Sequence, residues 1–214
     1  MSIADGAIAS APRAEAVLGP GWGWRVFDCG PARVTFRGYL FDGAQTLEGQ
    51  AAAERVAHVV AGAGPDDGGL KRALGGLAGH FAFVLADGAR TIACVDRIRS
   101  VPLLWGRRGD DALIDDRAPR LAERLGTGGK IDRAQALALA MSGYTIGAGT
   151  IFKGVRGLRA GEALIVDRDG AWTLRWFIYD AWRTEAIAHP EQRLSELHRF
   201  LIERLAKSAE GRTI

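Results

Sequence analysis

Residues 79–105 read GHFAFVLADGARTIACVDRIRSVPLLW, and this stretch decides the expected fold. Two short apolar runs, 81–86 and 91–95, flank the pair Asp87-Gly88. An Asp-Gly pair between two apolar runs predicts a β-hairpin. Runs that are apolar at nearly every position are typical of strands buried on both faces. We therefore expect an antiparallel hairpin in the middle of a layered sheet structure.

The length and composition are those of a globular protein. The chain has 214 residues, of which 48% are hydrophobic and 25% are charged, enough for one large domain or for one domain with an appendage. No apolar run is long enough to cross a bilayer, and the N-terminal residues lack the basic start and apolar core of a secretory signal. We expect a cytoplasmic protein with no membrane partner.

Charge and cysteine content exclude several other classes. The 28 basic residues are interspersed with 25 acidic ones rather than gathered in a stripe, so we expect no nucleic-acid partner. Cys29 and Cys94 are too few for a disulfide scaffold, and Cys94 lies in an apolar run that predicts a core position. The four histidines show no ligand spacing. We expect no metal site.

The remaining pattern divides the chain into three parts: a loose N-terminal arm over 1–21, a main domain over 22–185 and a helical segment over 186–214. Besides the central hairpin, the pattern predicts strands at 24–27, 32–41, 112–114, 163–166 and 172–177. It predicts helices at 50–61, at 71–77 and at 117–125, the last with a cap from Asp115 or Asp116. A further helix is predicted from Asp132 to Met141, with Leu137 and Met141 on its apolar side and Gly143 as its terminator.

The last predicted helix carries one apolar stripe, formed by Leu194, Leu197, Leu201 and Leu205. The simpler interpretation is a helix that packs on the preceding sheets. The alternative is that the stripe seats a second domain, because the final residues resemble the start of a further strand.

The predicted elements give an α+β protein with two packed antiparallel sheets and helices outside them. Several segments then resemble, in order, the N-terminal glutaminase domain of the asparagine synthetase family, a class II glutamine amidotransferase. They are Leu77-Ala78-Gly79-His80-Phe81-Ala82-Phe83 against Leu-x-Gly-x-Phe-Ala-Phe, Asp96-Arg97 with Pro102-Leu103-Leu104-Trp105 against Arg-Asp-x-x-Gly-x-x-Pro-Leu-Tyr-Tyr, Ser142-Gly143-Tyr144, 149–155, and Leu158 with Gly161. The resemblance covers about residues 32–205. It implies the four-layer αββα fold of N-terminal-nucleophile (Ntn) hydrolases.

The positions that carry glutaminase chemistry in the family differ here. The family's nucleophile is a cysteine directly after the initiator Met, with its own amine as general base, but this position is Ser2. The family's Asn-Gly-Glu-Ile-Tyr-Asn strand is Arg-Gly-Tyr-Leu-Phe-Asp at 37–42, which keeps Gly38 but replaces the oxyanion-hole Asn by Arg37. The acid of the family's Asp-x-Glu, which binds the glutamine amine, is replaced by Ala52.

These differences predict a domain without glutaminase activity, with Ser2 as the remaining candidate nucleophile. A serine hydroxyl with its own amine as base is workable chemistry, but residues 2–12 do not read as a strand that would position it. The resemblance assigns six residues to a former substrate pocket: Arg37, Gly38, Tyr39, Asp42, Ala52 and Gly79.

The resemblance also implies a ligase context. In the family, a second domain activates a carboxylate with ATP and Mg²⁺ and binds pyrophosphate at a Ser-Gly-Gly-x-Asp-Ser loop, which is not found in these 214 residues. We expect a missing ATP-dependent synthetase domain, or a partner chain, that docks on the leucine stripe. β-Lactam synthetases and lasso-peptide cyclases are relatives that lost the cysteine and kept the ligase. The alternatives are a stand-alone binding or scaffold module, in which a homodimer covers the stripe, and an amidohydrolase that uses Ser2.

Overall fold

The computed structural model describes residues 13–43, 45–64, 66–180 and 189–209. The chain forms two compact units, Met1–Ile178 and Tyr179–Ile214. The strands are β1 (Ala14–Val17), β2 (Arg25–Cys29), β3 (Ala32–Asp42), β4 (Gln45–Glu48), β5 (Ala78–Ala86), β6 (Thr91–Val95), β7 (Leu104–Arg108), β8 (Asp111–Asp115), β9 (Arg156–Gly157), β10 (Glu162–Asp167) and β11 (Gly170–Arg175). The helices are α1 (Gly49–Ala61), α2 (Asp67–Gly75), α3 (Ala118–Arg124), α4 (Arg133–Ser142) and α5 (Pro190–Ala209).

The larger sheet confirms the predicted central hairpin. Its seven strands run in the order β11-β10-β6-β5-β3-β2, with β4 paired to the end of β3. The strands β5 and β6 pair antiparallel from Ala82↔Val95 to Ala86↔Thr91. Both strands lie inside the sheet and are buried over most of their length, as their continuous apolar pattern predicts.

The smaller sheet differs from the prediction of two antiparallel sheets. Its order is β1-β8-β7-β9, and β1 pairs with β8 in parallel, from Ala14↔Ala112 to Val17↔Asp115. Part of the predicted loose arm is therefore an ordered strand. The residues 14–17 carry no strong strand pattern of their own, and pairing with a strand far along the chain fixes them.

Three apolar clusters separate four layers. One lies between the sheets and includes Val84, Trp105 and Ala171. A second packs α1 and α2 on the outer face of the larger sheet, and a third packs α3 on the outer face of the smaller sheet. The arrangement is αββα, so the predicted α+β fold class with outer helices is confirmed.

The predicted helices are present with local differences. The helix α2 begins before the predicted residue 71, because the Asp66 carboxylate caps it by accepting a hydrogen bond from the Gly69 amide at 2.8 Å. In α3 the N-cap residue is Arg117, which makes no side-chain cap, so the cap predicted from Asp115 or Asp116 is wrong. The Asp115 carboxylate instead pairs with the Arg120 guanidinium.

The helix α4 has the predicted ends, and its apolar side is open to solvent. Asp132 caps its start, and Gly143, with φ of 80°, ends it. The expected apolar side is exposed, with Leu137 at 60% and Met141 at 79% relative exposure. The helix has no buried residue.

In the second unit, α5 spans 20 residues. The four leucines of its stripe are all exposed, from 48% at Leu201 to 69% at Leu205. Among the described residues, neither this helix nor any other is both long enough and apolar enough to cross a bilayer.

Candidate functional site

The strands β3 and β5 come unusually close at two glycines. Gly38 has φ of 106° and Gly79 has φ of 143°, a region that side chains rarely adopt. A Cβ atom on Gly38 would overlap the His80 carbonyl oxygen, and one on Gly79 would overlap the Tyr39 carbonyl oxygen. The register pairs Gly38 with Phe81 and Leu40 with Gly79. The two glycines are therefore needed for the close backbone approach, whatever else the site does.

Aromatic and basic side chains occupy the face of the larger sheet beside these glycines. Phe36 and Leu40 are buried in the core under α1, so the alternating side chains of Arg37 and Tyr39 lie on the opposite face. The Tyr39 ring lies 5.4 Å from the His80 ring and 5.3 Å from the Phe41 ring, measured between centroids. These rings and the Arg37 side chain are half-buried.

The structure brings together only part of the predicted former pocket. Arg37, Gly38, Tyr39 and Gly79 are neighbours at the paired strands β3 and β5. Ala52 is fully buried in the core between α1 and the larger sheet, on the other face from Arg37. Asp42 is exposed at the far end of β3, where its backbone is in register with Gln45 of β4. Ser2 lies outside the described residues.

Asp96 is a buried carboxylate that bonds to Phe81, the register partner of Gly38, and the protein's own amides satisfy it. Its side chain is fully buried and accepts hydrogen bonds from the amides of Phe81, Ile98 and Ser100 at 3.0, 2.8 and 3.1 Å. The Ser100 hydroxyl donates to the same carboxylate. Asp96 therefore fixes the loop after β6 to β5, and this use leaves little capacity for acid–base chemistry.

The other buried carboxylates are also paired. Asp115 accepts from the Arg120 guanidinium at 2.7 Å and from the Arg124 guanidinium at 3.1 Å. Glu162 accepts from the Arg159 guanidinium at 2.7 Å. The hydrogen bonds to these acids raise the pKa of Arg120 and of Arg159. Both clusters hold elements together, since buried charges require partners.

Sequence reasoning missed Arg99. Counting along the family pattern Asp-x-x-Gly-x-x-Pro from Asp96 to Pro102 places Arg99 at the glycine position. The structure keeps the glycine-like backbone there, with φ of 58°. Burial lowers the pKa of the Arg99 guanidinium, and the nearby Glu162 carboxylate opposes that shift. Its Nε is buried and has no hydrogen-bond partner among the described residues.

Neither cysteine is set up as a nucleophile. Cys29 lines a cavity of about 540 Å³ that Glu54 and His58 also line. Burial raises the pKa of the Cys29 thiol, and the Glu54 and Asp28 carboxylates raise it further. Burial also raises the pKa of the Cys94 thiol, which is fully buried in the core, as its position in an apolar run predicts. Reactive cysteines require the opposite shift.

No protein-family model matches the chain, and no curated protein sequence matches it. Among solved structures, it is similar to glutamine phosphoribosylpyrophosphate (PRPP) amidotransferase from B. subtilis complexed with ADP and GMP, with 16% identity and a TM-score of 0.41 over 72% of this chain and 32% of that one. It is also similar to the allosteric regulatory enzyme of purine biosynthesis, with 18% identity and a TM-score of 0.42 over 72% of this chain and 31% of that one. The chain spans about a third of the length of each of these proteins.

Proposed function

We propose that this chain is a glutaminase-like domain that has lost glutamine hydrolysis and serves an ATP-dependent, amide-forming enzyme of the asparagine synthetase type. The support begins with the αββα layers and with the ordered motifs around the central hairpin. Gly38 and Gly79 have a structural role, because the close approach of the β3 and β5 backbones requires them. The scaffold has a structural reason to persist without the chemistry.

The observation that carries the proposed loss of hydrolysis is Arg37 at the position of the family's oxyanion-hole asparagine. An oxyanion hole needs short donors aimed at one point where negative charge develops. Here Arg37 occupies the position of the family's asparagine, and its guanidinium lies beside Gly23. It is a long charged side chain and not a short donor. On the adjoining surface the Tyr39 ring contacts the Phe41 ring edge-on and the His80 ring at a tilt.

Exposed apolar surface supports a role within a larger assembly. The leucine stripe of α5 is at least 48% exposed at every position. In the first unit, α4 and the loop after it expose Leu137, Met141, Tyr144 and Ile146, each by 60% or more. Apolar patches of this kind mark protein interfaces. We assign the α5 stripe to a synthetase domain or chain, and we assign ATP and Mg²⁺ to that partner because this sequence has no Ser-Gly-Gly-x-Asp-Ser loop.

The test begins with the reading frames that adjoin codon 214. One of them is expected to encode Ser-Gly-Gly-x-Asp-Ser, and its product is expected to form a stable complex with this chain when the two are co-expressed. Light scattering coupled to gel filtration gives the stoichiometry. A neighbouring synthetase that stays separate, or a chain that forms a homodimer through α5 in its place, would contradict the proposed assembly.

A further inference from the structure

A cleft opens where one edge of the smaller sheet faces one edge of the larger sheet. β9 is an edge strand of the smaller sheet, and β11 is an edge strand of the larger one. Between them lies a cavity of about 440 Å³, within the range of small-molecule sites. Two strands, β10 and β6, separate β11 from β5, so this cleft is distinct from the site at Gly38 and Gly79.

Two arginines stand on one wall of the cleft. Arg156 pairs with Trp105 across β9 and β7, so the two side chains share a face, and the guanidinium carbon lies 5.8 Å from the centroid of the Trp105 ring. Arg107 follows Trp105 by two residues and lies on the same face. Its guanidinium donates a hydrogen bond across the cleft to the Ala171 carbonyl oxygen.

Both guanidinium groups keep donors for a ligand. An arginine carries five N–H donors, and the carbonyl of Ala171 takes up a small part of those on Arg107. Within the part of the chain that the structure describes, neither Arg107 nor Arg156 forms an ion pair, and no acidic residue lines the cleft. The cleft therefore holds two positive charges without a protein counter-charge.

The opposite wall carries small side chains. Ala171 and Thr173 alternate on the inner face of β11, and Ala171 belongs to the core between the sheets. The intervening Trp172 turns its indole to the other side of the sheet, where its Nε1 donates to the Asp67 carboxylate at 3.3 Å. Gly154 adds a further small residue to the lining.

We propose that this cleft binds a small planar anion, namely a carboxylate attached to an aromatic ring. The ring stacks on the free face of the Arg156 guanidinium, whose other face covers Trp105. The carboxylate accepts hydrogen bonds from the remaining donors of Arg107 and from the Thr173 hydroxyl. Because two strands separate β11 from β5 at the proposed former glutaminase site, the two assignments can be tested independently.

The test uses benzoate as the probe, with benzamide as its uncharged isostere and cyclohexanecarboxylate as its non-planar analogue. Binding to the full chain is followed by calorimetry and by the NMR signal of the Trp105 indole N–H. Benzoate is expected to bind and to shift that signal. Benzamide lacks the negative charge and cyclohexanecarboxylate lacks the flat ring, so each loses one of the proposed contacts and is expected to bind at least about tenfold more weakly.

Arg156→Gln is the decisive variant because Arg156 is exposed and the change leaves the core intact. It is expected to weaken benzoate at least about tenfold. Arg168→Gln, an exposed arginine in the β10–β11 turn that does not line this cleft, is the matched control and is expected to bind like the parent. The proposal is overturned if benzoate fails to saturate by about 10 mM, if benzamide binds equally well, or if Arg156→Gln and Arg168→Gln bind alike.

Discussion

Replacing Arg99 by glycine is expected to stabilise the protein. The residue holds φ of 58°, a conformation that costs about 1–2 kcal/mol for a side-chain-bearing residue. Glycine removes this cost but adds about 0.5–1 kcal/mol of backbone entropy to the unfolded chain. The change also removes a guanidinium whose Nε is buried without a partner among the described residues. An unsatisfied buried donor costs about 1–3 kcal/mol, and we take the lower end because Arg99 is only half-buried. The sum is a gain of about 1–2.5 kcal/mol.

Arg99→Ala separates the two contributions. It removes the same guanidinium, which lies against Gly157, but keeps a Cβ in the strained conformation. The free energy of unfolding of Arg99→Gly should exceed that of Arg99→Ala by about 0.5–1 kcal/mol. Urea denaturation of both variants, analysed with a common slope, measures this difference. Equal stabilities, or a less stable glycine variant, would refute the account of backbone strain at this position.

Three further outcomes are expected. In thermal unfolding, Gly38→Ala should unfold the domain or destabilise it by more than about 3 kcal/mol. Gly88→Ala, at φ of 86° with nothing within 4 Å of its Cβ, should lower the free energy of unfolding by only about 1 kcal/mol. Because the pKa of the Cys29 thiol is raised, its thiolate fraction at neutral pH is low. Iodoacetamide should therefore modify Cys29 more slowly than a free cysteine, with the rate rising only at alkaline pH. Alkylation as fast as that of glutathione at pH 7 would be inconsistent with that environment. A Leu197→Glu, Leu201→Glu double variant should melt like the parent, since both leucines are exposed, and should lose the synthetase complex; a retained complex would move the docking surface elsewhere.

The central hairpin was predictable because its signal is local. The Asp-Gly turn and the two continuous apolar runs specify two neighbouring strands and their burial without reference to distant residues. The ends of α4 were predictable for the same reason, because Asp132 and Gly143 act on the backbone within one turn of themselves.

The parts that the sequence did not reveal depend on distant contacts or on backbone angles. Strand β1 exists because it pairs in parallel with β8, and residues 14–17 alone carry little strand preference. The pattern of α4 predicted an apolar side, which is exposed, because a helical pattern records an apolar face and not what lies against it. At Arg99, the amino acid gives no indication of a glycine-like φ.

The candidate site was predictable only where residues lie in one strand. Arg37, Gly38 and Tyr39 could be placed together from a single motif, and pairing with β5 brings Gly79 to them. The cleft between β9 and β11 could not be found in this way. Its two arginines and Thr173 come from three separate strands whose meeting depends on the packing of one sheet on the other.

Glutamine hydrolysis by the mature chain tests the central claim most directly. The protein is first shown by intact mass to have lost Met1, so that Ser2 carries a free amine. Glutamate release from glutamine is then measured for the parent and for Ser2→Ala. The account predicts that neither releases glutamate above the level without protein. Glutamate release by the parent that disappears in Ser2→Ala would contradict it and would show an active N-terminal nucleophile.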